Sequence, residues 1–444
     1  MPPRLPFSLF FIVWLTFLES LALDLVHVPL TRRSGAASFD PNREALKVKV
    51  KYGFTDPPSR FRRATSGGVD VTNQDDDSSF LGSLSIGTPP QTFTVVLDSG
   101  SSDLWLASSS CTNCNTNAPL FQSDKSQSFQ ASMGADAEVT ITYGSGSVTG
   151  IVATDTVTMG GFTVSSQTFR KYHSFIPILT ATSTQNLLQG AISGLIGLAF
   201  PPLSQTRSTP FWLALLNANE FSAADMGFWL ARAPASSNAA EVPGGVFTLG
   251  GANASLYSGD IEFLDLPVST PSFWFQSLSA VTVNGQSIQI DTSSASTLSA
   301  IDTGTTLIVG PPTDVAAIWA AVPNSSPSRI SSGFFRFPCT TQVNVTLSFG
   351  GKVWSISPQD MNVGQETPQS QFCLGGIITV GSTGSGSGAP QWIIGDTFLK
   401  NVYTVLRASP PSVGFAELST LAGGTGAASL RVVSRCLRSI DRHT

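Results

Sequence analysis

The chain has 444 residues, enough for two to three domains at about 150 residues each, yet only 12% of them are charged. That charge content excludes coiled coils and long surface helices, while 41% hydrophobic residues, including 29 Phe, exclude general disorder. Three histidines (His27, His173 and His443) nearly exclude chemistry built on a His pair or triad, and leave a β-rich globular protein with a large core.

In chain order, Arg4, a mostly apolar run from Phe7 to Leu18 and Ser20-Leu21-Ala22 read as a cleaved signal peptide over residues 1–22. The run is too short for a bilayer, which takes ~20 residues, and no later segment supplies a stable membrane anchor. Residues 23–63 carry nine Lys/Arg against four acids, net +5, and end at the dibasic pair Arg62-Arg63. Residues 64–430 carry 10 basic and 23 acidic residues, net −13, and the tail beyond Leu430 is +3. A basic lead on an acidic body reads as a propeptide held partly by electrostatics, which weaken as carboxylates protonate. Export argues against a nucleic-acid arm. Asp75-Asp76-Asp77 lacks calcium-loop spacing, so no metal is expected.

Local patterns in the body are almost all β. Leu81 to Ile86 alternates and runs into the turn Gly87-Thr-Pro-Pro-Gln91, then Phe93, Val95 and Leu97 alternate toward Asp98. Val139, Ile141 and Tyr143 alternate before a hairpin tip at Gly144-Ser145-Gly146, and Asn284-Gly285 joins a second hairpin. Helices are expected at Pro210 to Asn219 and Pro312 to Val322. The alternation of Lys47, Lys49 and Lys51 also permits a solvated basic strand.

Five cysteines in an exported chain make disulfides the default. Cys339 with Cys373 closes a loop of moderate length, Cys111 with Cys114 a tight one, and Cys436 is left over. Cys-x-x-Cys also occurs in redox sites and zinc knuckles. Those need a helix start or further ligands, whereas Asn113, Asn115 and Asn117 surround this pair and no His is near. Asn253, Asn324 and Asn344 head Asn-x-Ser/Thr triplets, glycosylation acceptors where exposed.

An internal repeat organises the body. Asp98-Ser-Gly-Ser-Ser102 recurs 204 residues later as Asp302-Thr-Gly-Thr-Thr306, each after an apolar strand. Gly194-Leu-Ile-Gly197 and Trp392-Ile-Ile-Gly395 then follow, with Asp-to-Gly intervals of 99 and 93 residues. Two homologous lobes are expected, 64–265 and 266–420, followed by a basic tail 421–444.

Two Asp-hydroxyl-Gly-hydroxyl loops suit a carboxylate pair at a lobe interface. Gly permits tight loops with close backbone approach, and the hydroxyls can bond the carboxylates. Two carboxyls in contact cannot both ionise easily, so they share one proton. The pair then holds a base for water and an acid for a carbonyl oxygen. That is amide hydrolysis without His, metal, cofactor or covalent intermediate.

With these stretches the sequence resembles a pepsin-like aspartic endopeptidase of the fungal-type secreted or vacuolar kind. The matching stretches, Ile86 to Gln91, Asp98 to Trp105, Tyr143 to Ser147, Gly194 to Leu198, Ile301 to Leu307 and Trp392 to Asp396, extend in family order over about 80 to 418. The resemblance implies a mainly β, bilobal fold with few short helices and a cleft taking peptides extended. It implies that Asp98 and Asp302 are catalytic, that Ser101 and Thr305 bond them, and that Ser99 and Thr303 brace the loops beside Gly100 and Gly304. It puts Tyr143, Gly144 and Ser145 on a flap, with the Trp105 ring nitrogen bonded to Tyr143. It also implies that Lys51 reaches the aspartates from the propeptide while Tyr52 blocks the cleft. Ser99 departs from the usual Thr, and Ser193 from an acidic or amide residue. A monomer, secreted or held in an acidic vacuole, is expected. The rival reading is a catalytically inactive binding or inhibitor protein of the same fold. Such a protein typically lacks an aspartate, a neighbouring Gly or the flap tyrosine, and this chain has all three.

Overall fold

The computed structural model describes residues 26–33, 40–52, 54–55 and 80–424, apart from 113, 115–117, 135–136, 144–145, 166–176, 186–187, 189–191, 233–240, 294–296 and 384–388. The signal segment 1–22, Arg62-Arg63, Asp75 to Asp77, His173, Cys436 and the tail beyond 424 lie outside the described residues.

The duplicated motif sets the same local topology twice. In the N-terminal lobe Gln91–Asp98 pairs in parallel with Gly194–Gly197, so that Asp98 faces Gly197. Gly194–Gly197 pairs antiparallel with Leu104–Ala107, which pairs in parallel with Pro177–Gln185. In the C-terminal lobe Leu298–Ile301 pairs in parallel with Trp392–Ile394, which pairs antiparallel with Ile308–Val309, itself parallel to Ile377–Ile378. The order parallel, antiparallel, parallel is therefore common to both lobes, as a duplicated chain requires.

The strands form for the expected reason. Phe93, Val95 and Leu97 are buried on one face of Gln91–Asp98 while the residues between them are more open. Val281 to Val283 turns back to Gln286 to Ile288 through Asn284 and Gly285, both at positive φ (51° and 83°), the conformation a two-residue hairpin needs. The mainly β, bilobal pepsin-like architecture is present, with five short α-helices among the described residues. Two fall where expected, α2 at Phe211–Asn217 and α3 at Pro312–Ala320, each slightly shorter than its pattern. None of the described helices is long and apolar enough to cross a membrane.

One sheet joins the first and last described strands. Val26–Arg33 lies between Glu241–Leu249 and Phe80–Ile86, and Glu241–Leu249 continues through Asp225–Leu230 to the C-terminal hairpin Val402–Ala408 and Pro411–Leu418. The alternating-strand reading of Lys47, Lys49 and Lys51 is corrected: Pro41–Lys51 is helix α1. The Asp40 carboxylate accepts the N–H groups of Asn42 (3.0 Å) and Arg43 (3.2 Å), capping it. Ala45, Val48 and Tyr52, at helical spacing, bury one face against Leu307, Val309, Phe334, Leu374 and Ile378 of the C-terminal lobe.

Candidate active site

The two aspartate loops meet at the lobe interface, each leaving the end of a strand. Ser99 N–H donates to Thr303 Oγ1 (3.1 Å) and Thr303 N–H to Ser99 Oγ (2.9 Å). Each hydroxyl donates onward across the interface, Ser99 to Ile301 O (2.9 Å) and Thr303 to Leu97 O (2.8 Å). The glycines are there for close approach. A Cβ on Gly100 would sit 2.5 Å from Asp302 Oδ1, and one on Gly304 would collide with Asp98 Oδ1. Each loop's glycine thus makes room for the other loop's carboxylate.

Both carboxyls are buried and well supplied with donors. Asp98 accepts from Gly100 N–H (2.9 Å) and Ser101 Oγ (2.6 Å); Asp302 accepts from Gly304 N–H (2.9 Å) and the Thr305 hydroxyl. Lys51, at the end of α1, donates to Asp98 Oδ1 and Asp302 Oδ2, each at 2.8 Å. The Tyr52 hydroxyl donates to Asp302 Oδ2 (2.8 Å), with its ring 5.4 Å from Phe273.

Charge and burial compete here. Burial raises the Asp98 carboxyl and, with the Asp302 charge, outweighs the Lys51 ammonium, leaving Asp98 above its ordinary value. Burial also raises Asp302, but Lys51 and the hydrogen bonds to its charged form prevail and hold it below the usual carboxylate range. For Lys51 burial disfavours the charge, yet the two carboxylates hold its pKa above the ordinary lysine value. Tyr52 and Tyr143 are both pushed well up, chiefly by burial, and stay neutral, Tyr52 as a donor to Asp302.

Trp105 is both packed and bonded: its Nε1–H donates to Tyr143 Oη at 3.0 Å, at the end of the strand Glu138–Tyr143. Gly144 and Ser145 lie outside the described residues. The Cys111–Cys114 and Cys339–Cys373 disulfides are formed, with Cα separations of 5.6 and 5.0 Å. Asn324 and Asn344 are exposed and Asn253 is half-buried. Among the described residues no group of three or more His, Cys, Asp or Glu is placed to hold a metal.

A profile of the family described as "Eukaryotic aspartyl protease" matches residues 79–418. The chain belongs to this family. It is 39% identical over 377 residues to "Major aspartyl peptidase 1" of Cryptococcus neoformans var. grubii, covering 83% of this chain and 74% of that one. It is 30% identical over 416 residues to "Pepsin A" of Sus scrofa, covering 91% and 100%, and 29% identical over 406 residues to "Cathepsin D" of Gallus gallus, covering 88% and 94%. As an aspartyl protease of pepsin-like kind, the chain is an aspartic endopeptidase.

Sequence reasoning did not single out two buried acids of this aspartyl protease. Asp103 accepts from Ser204 Oγ (2.7 Å) and Gln205 N–H (2.8 Å), tying the end of the first aspartate loop to a distant turn. Glu44 of α1 accepts from Thr306 Oγ1 (3.2 Å), beside the second loop. A lone acid among the basic residues of 41–51 was the available signal for Glu44.

Proposed function

We propose that Asp98 and Asp302 are the catalytic dyad of an endopeptidase that works in acid and is made as a zymogen. The observation that carries this reading is the meeting of the two carboxyls, from loops that brace each other, on one lysine ammonium. Freed of Lys51, the pair shares one proton. The ionised carboxyl takes a proton from water as its oxygen attacks the scissile carbonyl carbon, and the protonated carboxyl gives its proton to the carbonyl oxygen. The tetrahedral diol then collapses: the carboxyl that took the water proton gives it to the nitrogen, the other carboxylate takes a proton from a diol hydroxyl, the C–N bond breaks, and the carboxyl and amine products leave with one proton again shared on the pair.

Peptide substrate lies extended across the cleft, held largely through its main chain, with Tyr143 closing over it from the flap. Residues 23–63 act as the propeptide. Lys51 fills the place between the carboxyls that the attacking water takes in the reaction, and Tyr52 covers Asp302. Two disulfides suit an exported protein, secreted or delivered to an acidic vacuole.

The deciding experiment is digestion of casein by acid-treated wild type and by Asp98→Asn and Asp302→Asn. Acid-dependent cleavage in wild type and its loss in both variants is the expected result. Equal cleavage by either variant refutes the dyad. An inert wild type returns the inhibitor-protein reading.

A further inference from the structure

Beneath the two aspartates a short segment, Leu198-Ala199-Phe200, leaves the strand Gly194–Gly197 and runs between the lobes. Its first two N–H groups face the first aspartate loop: Leu198 donates to Asp98 O and Ala199 to Ser101 O, each at 2.8 Å. The carbonyls of the same two residues face two buried indoles. Trp274 Nε1–H donates to Leu198 O at 2.9 Å and Trp212 Nε1–H to Ala199 O at 3.1 Å. Phe200 packs on both rings, 4.4 Å from Trp274 and 5.6 Å from Trp212 between centroids.

Trp274 does something that Trp212 does not. Its own carbonyl accepts the N–H of Ile301 at 2.9 Å, and Ile301 immediately precedes Asp302. One residue therefore holds the Leu198–Ala199 peptide, whose N–H bonds Ser101 O in the first aspartate loop, and the Ala300–Ile301 peptide, one residue before Asp302. Its ring is fully buried, so the reference it gives both loops is rigid.

We propose that Trp274 is a positioning residue for the reaction, setting the separation and facing of the Asp98 and Asp302 carboxyls. This rests on the reading of those two residues as the dyad. Proton sharing between carboxyls falls off steeply as they part, and attack by water requires both in place, so a small displacement is costly. Removing the indole N–H leaves Leu198 O buried without that donor, and the segment relaxes toward another partner.

The test replaces Trp274 with 3-benzothienylalanine, which keeps the bicyclic ring and exchanges only N–H for sulfur, and separately with Phe. Trp212 is replaced in the same two ways, and all variants are assayed in the acid-processed full chain. For Trp274 the expected result is a fall in kcat of about 10- to 100-fold with KM near wild type. The two limbs of the kcat–pH profile move toward each other, because weaker coupling draws the pair's apparent pKa values together. The Trp212 variants lose stability while their limbs stay in place. Unchanged kcat and limbs in the benzothienyl variant at 274 overturn the proposal, as do equal limb shifts from both tryptophans. Where the Phe variant does not fold, the benzothienyl variant decides, since it preserves the ring's shape. Full activity in Asp98→Asn refutes the dyad itself, an outcome distinct from any result at Trp274.

Discussion

Ser99 and Thr303, 204 residues apart, each accept the other's backbone N–H on a hydroxyl oxygen that in turn donates to a carbonyl of the opposite lobe. The pairing is fully buried, so no water can replace a lost partner. Ser99→Ala strands the Thr303 N–H and the Ile301 carbonyl, at a cost of about 2–3 kcal/mol. Thr303→Ser keeps both bonds and gives up one methyl, costing about 1 kcal/mol. Denaturant unfolding of the two variants checks the order. Equal losses in both would show that packing of the methyl, not the exchanged hydrogen bonds, holds the loops together.

Lys51→Ala removes one partner of a buried ion cluster and weakens the hold of residues 40–52 on the cleft by about 3–5 kcal/mol. The sign with pH follows from the shifts. Asp302 is depressed in the presence of Lys51, so its contribution is whole above the ordinary carboxylate value and is lost as pH falls through the depressed one. Lys51 is raised, so its contribution is whole below its ordinary value and is lost only as pH rises through the raised one. Between neutral and acid, Asp302 is the group that releases, while the raised Asp98 works the other way, its contribution growing as pH falls through the raised value. Peptide cleavage by the unprocessed full chain is the measurement: wild type is latent at neutral pH and the variant is not. Unchanged latency in the variant removes Lys51 from this role.

The aspartate loops were legible because duplication states the same local instruction twice, and Asn284-Gly285 because a two-residue hairpin demands positive φ at both positions. Helix α1 was not. Three basic residues at alternate positions mimic a strand, and only Ala45, Val48 and Tyr52 carry the helical spacing, with the C-terminal lobe supplying the surface that selects it. Nothing in the sequence marks Trp212 or Trp274. Their donation to Ala199 O and Leu198 O, in that order, is a side-chain-to-backbone contact across the chain, which leaves no periodic trace. Arg232 and Asp360 were silent because an ion pair between side chains 128 positions apart leaves no periodic trace either.

Trp105→Phe tests the flap contact. It removes the one indole donor to Tyr143 Oη while keeping an aromatic ring in a buried site. One neutral hydrogen bond is worth about 1 kcal/mol, so kcat/KM falls roughly 5- to 10-fold if the bond is made when substrate is held. The Tyr143 phenol lies far above the working range, so this loss is the same at every acidic pH. Steady-state cleavage of a fluorogenic peptide across pH 3 to 6 checks both points. A fall that varies across that range would mean that Trp105 acts on the carboxyls rather than on the flap.

Asp360 tests what joins the lobes away from the cleft. It accepts from Arg232 Nε at 2.8 Å, from Asn401 Nδ2 at 2.9 Å, and pairs with Lys400 Nζ at 3.0 Å. Burial raises its carboxyl, but Lys400 and then Arg232 prevail and hold it below the ordinary value. Its stabilisation is therefore whole above the ordinary carboxylate value and is lost as pH falls through the depressed one, so the cluster still holds in moderate acid. Asp360→Asn takes the charge from two buried or half-buried cations and costs about 3–5 kcal/mol at neutral pH. Thermal unfolding from pH 2 to 7 is the measurement. The difference between wild type and variant is largest at neutral pH and narrows as pH falls toward the depressed Asp360 value, where wild type too loses the charge. A difference that stays constant across the range would assign the loss to packing rather than to the ion cluster.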